Sequence, residues 1–226
     1  FKNFSIAFLK NIRSDVFLIA FLKSHYDIEI INDIYGYFSG FRTNIDEKGG
    51  INNPLIQIRT IQSYLKNKDL KDGVEKIIHS FDIGVRNFEI KEEKKNNGLE
   101  ISIYGIHDTK EKNNKLEFNY ESRGTQSLFF SLANILSALK NNSVVIIDEF
   151  ETGLHAEAID KLIEYFIDEN SERKAQMLFS SHSLGFLNKL DMHQIYLTEK
   201  SKNGESSIYR LNQIDNIRSD ENFLSK

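Results

Sequence analysis

"VVIIDEFETGLHAE", residues 144–157, decides how this chain is read. Val144 to Ile147 form an apolar run of strand length, and runs of this kind are characteristic of buried strands in parallel sheets. The run delivers two adjacent carboxylates, Asp148 and Glu149, to its end. Like charges side by side at the edge of a core repel each other and lose hydration. Open α/β sheets place their ligand crevice at the carboxyl ends of the strands. Asp148 in that position suits a magnesium ion held through water. Glu149 points elsewhere and suits orienting or deprotonating a water. A bare "IIDE" is equally well explained as a strand-end cap, so the motif needs company.

That company lies on both sides. From residue 121 onward, "GTQSLFFSLANILSALK", "SVVIID", "AEAIDKLIEYFIDEN", "QMLFSS", "SLGFLNKL" and "QIYLTEK" alternate helix with strand, the pattern of βαβ units and a parallel sheet. "MLFSSHS" (177–183) places His182 just past the neighbouring strand, within reach of the same crevice and of a terminal phosphate. "ESRGTQSLFF" (121–130) opens a long helix whose stripe runs Leu128, Leu132, Ile135, Leu136 and Leu139. Ser122 and Gly124 leave backbone N–H groups uncovered at its start, a ready anion site. In isolation that turn is a plain N-cap.

Upstream, the first eighty or so residues read as helical: "SDVFLIAFLKSH" (14–25) with Ser14 and Asp15 as cap, "DIEIINDIYGYFSGF" (27–41), then "PLIQIRTIQSYLKNK" and "DLKDGVEKIIHSF" after the loop "DEKGGINNP" (46–54). "VRNFEIKEE" (85–93), "LEISIYGIH" (99–107) and "KLEFNY" (115–120) predict a small antiparallel sheet. The expected organisation is therefore a helical segment at 1–82, a small antiparallel sheet at 83–120 and a parallel-sheet lobe at 121–226.

Composition narrows the class. The chain has 226 residues, 40% hydrophobic and 27% charged with a net charge of -4, which argues for a globular domain and gives no broad electrostatic case for nucleic acid or membrane. Cysteine is absent, which excludes disulfides, thiolate metal sites and a cysteine nucleophile. "VFLIAFL" (16–22) is too short to span a bilayer, and the expected location is cytoplasmic. Lys10, Arg13 and Lys23 read as a solvated helix face. His25, His79, His107 and His193 are scattered without ligand spacing.

Taken together, the order "ESRGT", "VVIIDE", "GLH", "SSHS" resembles the C-terminal half of an ABC-class ATPase. The likeness is to the AAA-type ATP-binding proteins of the overcoming-lysogenization-defect and SMC-like branch, whose signature reads Glu-Ser-x-Gly-Thr. By this resemblance the fold is an ABC-type α/β lobe, a parallel sheet with flanking helices. Asp148, in a Walker B motif, binds Mg2+ through water, and Glu149 polarises the attacking water. His182 senses the γ-phosphate. Ser122 and Gly124 reach the γ-phosphate of an ATP held by a second subunit, and Gly153, Leu154 and His155 form the dimer-contacting D-loop. The resemblance further implies a sandwich dimer or higher homo-oligomer, controlling a partner nuclease or effector in anti-phage defence, with DNA as a possible further partner. The alternative is an SMC-like DNA-tethering clamp without significant turnover.

None of the twelve glycines is followed by lysine, so the phosphate-cradling G-x-x-x-x-G-K-[ST] loop is absent from these residues. The chain starts at Phe1 and reads as the C-terminal part of a longer ATPase, expected to be inactive towards ATP on its own.

Overall fold

The computed structural model describes residues 17–45, 54–81, 84–95, 98–107 and 114–214. The proposed Ser14–Asp15 cap, Lys10, Arg13 and most of the 46–54 loop lie outside them. Two short helices come first, α1 (Leu18–His25) and α2 (Glu29–Ser39), followed by a two-residue strand, β1 (Arg42–Thr43). Helices α3 (Pro54–Lys66) and α4 (Lys68–Ser80) lead into strands β2 (Val85–Lys95), β3 (Gly98–His107) and β4 (Lys115–Glu117). The long helix α5 (Arg123–Asn141), β5 (Val144–Ile147), α6 (Ala156–Glu169) and β6 (Gln176–Phe179) carry the candidate site. The hairpin β7 (Tyr196–Lys200) and β8 (Ser206–Arg210) and a 3-10 turn (Leu211–Gln213) close the described chain.

The fold is mixed α/β. Among the described residues the parallel sheet has the order β1-β5-β6, with β5 central; β2-β3-β4 form an antiparallel sheet, and β7-β8 a separate ribbon. β5 runs parallel to β6 through Val145↔Met177 and Ile147↔Phe179, with α6 as the crossover. Such a crossover puts the ends of β5 and β6 at one edge of the sheet, which is the edge that matters here.

Helix α5 is the spine of the core. Leu128, Leu132, Ile135 and Leu139 of its predicted stripe are buried, at 2%, 0%, 0% and 2% exposure, while Leu136 is partly buried. Ser122 caps its start by accepting a hydrogen bond from Thr125 N–H at 3.1 Å. Asn142 ends it in the left-handed conformation, φ 49°, which asparagine tolerates better than most residues. Against one face lie Tyr64 of α3, Phe88 of β2 and Phe118, which meet Phe129 with ring centroids 4.6, 4.7 and 4.8 Å away. The Tyr64 hydroxyl donates to the Phe129 carbonyl, so this buried phenol is satisfied. Burial keeps its ionisation far above the ordinary tyrosine range, aided by nearby Glu75. The same stripe packs β5, whose Val145 and Ile147 are 0% and 2% exposed.

Three elements differ from the sequence expectation. "KLEFNY" is a strand only over Lys115–Glu117; Phe118–Tyr120 turn as a 3-10 helix, which sends Phe118 into the aromatic cluster. "SLGFLNKL" forms only a 3-10 turn at Leu187–Lys189. "QIYLTEK" does not extend the parallel sheet: β7 pairs antiparallel with β8, because Gly204, at φ 86°, turns the chain straight back. The Asn203-Gly204 dipeptide is the hairpin signal for that turn.

Candidate functional site at the carboxyl edge of the sheet

β5 ends at Ile147, and the next two residues are the carboxylates. Asp148 is half-buried and Glu149 exposed. Glu149 has φ 49°, one of two non-glycine residues with positive φ among the described residues. The left-handed kink lets Phe150 drop back into the core, at 2% exposure, while both acids stay at the edge.

Two residues from neighbouring strands hold this turn, and sequence reasoning singled out neither. Asn44, immediately after β1, is 7% exposed. Its side-chain amide donates to the Asp148 carbonyl at 2.8 Å, and its side-chain oxygen accepts from Asp148 N–H at 2.8 Å. The backbone partners dictate which way round the amide sits. On the other flank, the Ser180 hydroxyl donates to Asp148 Oδ1 and accepts from Glu149 N–H, the latter at 2.9 Å. A strand-end serine in "SSHS" was the only available sign of Ser180. Asn44 left none, because a two-residue strand has no periodicity to detect.

The next loop couples to the loop after β6. Glu151 Oε1 accepts from His182 N–H at 2.6 Å, and its Oε2 is buried without a hydrogen-bond partner. Burial pushes the Glu151 carboxyl up, but hydrogen bonds, led by that from His182 N–H, leave it below the ordinary range. His182, itself exposed, is thus tied by its backbone to the loop following Asp148–Glu149.

The turn at Ser122 is not remote from this loop. A Cβ on Gly124 would lie 2.7 Å from the Gly153 carbonyl oxygen, and one on Gly153 would meet Arg123 at 3.2 Å. Gly153 also has φ 77°. Two glycines in close backbone contact therefore pack the start of α5 onto the 151–155 loop. Substitution at Gly124 would disturb this packing directly, so Ser122 is the cleaner probe of the turn. Leu154 packs partly buried against the core, and exposed His155 is the N-cap residue of α6. Glu121, just before Ser122, is buried and pairs with His107 Nε2 at 2.7 Å. Gly105 makes room for it, since a Cβ there would lie 2.0 Å from the Glu121 carboxylate. His107, which has no ligand spacing in the sequence, thereby anchors the start of α5 to the small sheet.

Among the described residues no group of three or more His, Asp or Glu could hold a metal ion. That donor set does not suit an all-protein metal cage. A magnesium ion that keeps its waters needs only one or two carboxylates, and Asp148 and Glu149 are the adjacent acids that follow β5 at this edge.

Asn44→Asp is expected to destabilise the domain by about 2–3 kcal/mol at neutral pH, because a carboxylate cannot donate to the Asp148 carbonyl. The deficit should shrink at acid pH, where the introduced carboxyl is protonated and donates again. Chemical denaturation of both proteins checks this; identical midpoints at neutral pH would remove Asn44 from the account.

An α/β fold with two acids at the carboxyl edge of a parallel sheet is the frame, and the class is that of an AAA-type domain, as a family model shows. The family model described as "AAA domain, putative AbiEii toxin, Type IV TA system" matches residues 6–188, and the chain belongs to that family. No curated protein matches the chain. Similar solved structures include one described as "Structural biochemistry of ATP-driven dimerization and DNA stimulated activation of SMC ATPases", at 16% identity, covering 70% of this chain and 88% of that one, TM-score 0.42. An SmcHead bound to the C-winged helix domain of ScpA matches at 16% identity over 62% of this chain, TM-score 0.42. The Smc head domain with an extended coiled coil from Pyrococcus furiosus matches at 13% identity over 68%, TM-score 0.44. The match spans 41% and 38% of those last two chains. Among the described residues no helix is long and apolar enough to cross a membrane.

Proposed function

We propose that this chain supplies the acidic half of an ATP-hydrolysing site completed by a second subunit. The observation that carries the reading is the pinned Asp148–Glu149 turn at the end of β5, with Glu149 held at φ 49°. Asp148 would hold a magnesium ion, which would supply charge neutralisation at the phosphates. Glu149 orients the attacking water and takes its proton as the water oxygen bonds to the γ-phosphorus and the bond to the ADP oxygen breaks. His182 reaches the γ-phosphate. Ser122 and Gly124 serve the γ-phosphate held by the second subunit, and Gly153, Leu154 and His155 lie at the contact between subunits. No G-x-x-x-x-G-K-[ST] loop occurs in these 226 residues, so this reading needs a phosphate cradle supplied elsewhere in the assembly. The 1–82, 83–120 and 121–226 segments act as parts of one ATPase unit, and closure of the dimer controls a nuclease or effector in defence against phage.

The test is ATP turnover and sedimentation of the complete assembly with and without magnesium. Mg-ATP is expected to drive dimer formation and hydrolysis, and Asp148→Ala to weaken the magnesium-dependent part of binding by roughly tenfold to a hundredfold. Dimerisation without turnover would favour a DNA-tethering clamp. Neither response would remove the ATPase reading.

A further inference from the structure

We propose that Ser180 is the positioning residue of the acidic pair: a single residue at the exit of β6 grips four consecutive residues, 147 to 150, and holds Glu149 in its left-handed conformation. Its catalytic consequence rests on the ATPase reading above; the positioning itself does not.

The grip uses every polar group Ser180 has. Its N–H donates to the Ile147 carbonyl at 3.0 Å, and its carbonyl accepts from Phe150 N–H at 3.0 Å. Between these two backbone bonds, its hydroxyl accepts from Glu149 N–H at 2.9 Å and donates to Asp148 Oδ1. A hydroxyl has one proton to give. An ionised carboxylate only accepts and an amide N–H only donates, so the direction of both bonds is settled by their partners. The β5–β6 pairing thus continues past both strands, with the serine side chain spanning the two residues that the kink pulls out of register.

Geometry explains why the spanning is needed. A non-glycine residue at positive φ is uncommon, and glutamate has no side-chain route to relieve it as asparagine does. Phe150, buried in the core, pulls the chain down on one side, and Ile147, buried in β5, anchors it on the other. Thr152 contributes from within the turn, donating N–H to the Glu149 carbonyl at 2.9 Å and Oγ1–H to Glu149 Oε2 at 3.1 Å. Among the described residues, Ser180 alone reaches the turn from another strand while touching both acids. It fixes one oxygen of Asp148 and the backbone of Glu149 with one atom, so the separation of the two acids is set by a shared partner. Ser180 itself is exposed, so its hydroxyl is not required for core packing.

Two measurements test this. Amide hydrogen exchange at Glu149 needs no nucleotide: Ser180→Ala is expected to speed it about tenfold or more, and Ser180→Thr to restore protection. In the complete assembly, Ser180→Ala is expected to lower kcat roughly tenfold to a hundredfold with KM for ATP within about twofold, again restored by Ser180→Thr. Added to Glu149→Gln, Ser180→Ala is expected to cost much less than in the unsubstituted assembly, because the part that acts through Glu149 is already lost and only the bond to Asp148 remains to lose. A merely structural serine would lower activity equally in both backgrounds. Ser180→Cys, similar in shape with a weak donor, should fall between and serves where Ser180→Ala does not fold. Unchanged Glu149 exchange in Ser180→Ala overturns the positioning role, as does normal kcat beside a working unsubstituted enzyme. An unsubstituted assembly that does not hydrolyse ATP overturns the ATPase reading alone, and the exchange result then decides the role of Ser180.

Discussion

Glu149→Gln, in the complete assembly, is expected to slow ATP hydrolysis by about a hundredfold to a thousandfold while leaving ATP bound. The amide keeps the shape of the side chain but cannot take a proton from the attacking water. Nothing that holds the turn is lost. The bonds from Ser180 to Asp148 and to the Glu149 backbone do not involve the glutamate carboxyl, and Thr152 Oγ1, 3.1 Å from Oε2, can still donate to an amide oxygen. Because Glu149 is exposed, stability should change by less than about 0.5 kcal/mol. Single-turnover assays with a filter-binding measurement of ATP separate the two effects. Normal turnover by Glu149→Gln would mean that another group handles the water. Loss of binding together with turnover would mean that Glu149 serves the ground state.

The largest effect on stability is expected at Phe129. It is 1% exposed and its ring contacts Tyr64, Phe88, Phe118 and Phe130. Those rings come from α3, β2, the 3-10 turn and α5, so the residue joins the helical segment, the small sheet and the helix that begins at Ser122. Phe129→Ala removes the shared partner of all four and leaves a cavity between rigid rings, at a cost of about 3–5 kcal/mol. Phe129→Leu should cost roughly half as much, since it refills part of the volume. Urea unfolding monitored by circular dichroism checks both. A loss below about 1 kcal/mol for Phe129→Ala would show that the cluster collapses around the gap, contrary to the close packing seen.

Much of this fold is legible in local patterns. The apolar run Val144–Ile147, the amphipathic helix α6 and the run at 176–179 read as a βαβ unit, and the three-and-four spacing on α5 marks its buried stripe. The placement of two acids after β5 and a histidine after β6 is equally a matter of chain order. These features depend on residues a few positions apart, where side-chain period and hydrogen-bond geometry act directly. Where the local signal is thin, the reading strays: "SLGFLNKL" has apolar residues enough for a helix but only turns, and "QIYLTEK" looks like one more core strand until its Asn-Gly turn pairs it with β8.

What the sequence by itself determined is the kind of sheet, the helix that supports it and the edge at which the acids emerge. Only the tertiary structure decided how those acids are held. Asn44 meets Asp148 across 104 residues, and Ser180 meets Glu149 across 31. Gly124 backs onto Gly153, and His107 at the end of β3 reaches Glu121 just before α5. Each of these contacts exists because two separately formed elements pack in one register. A hydrogen bond of that kind leaves no period, cap or turn signal in either segment; it is written in the closure of the loops between them and in the burial that makes the closure worthwhile.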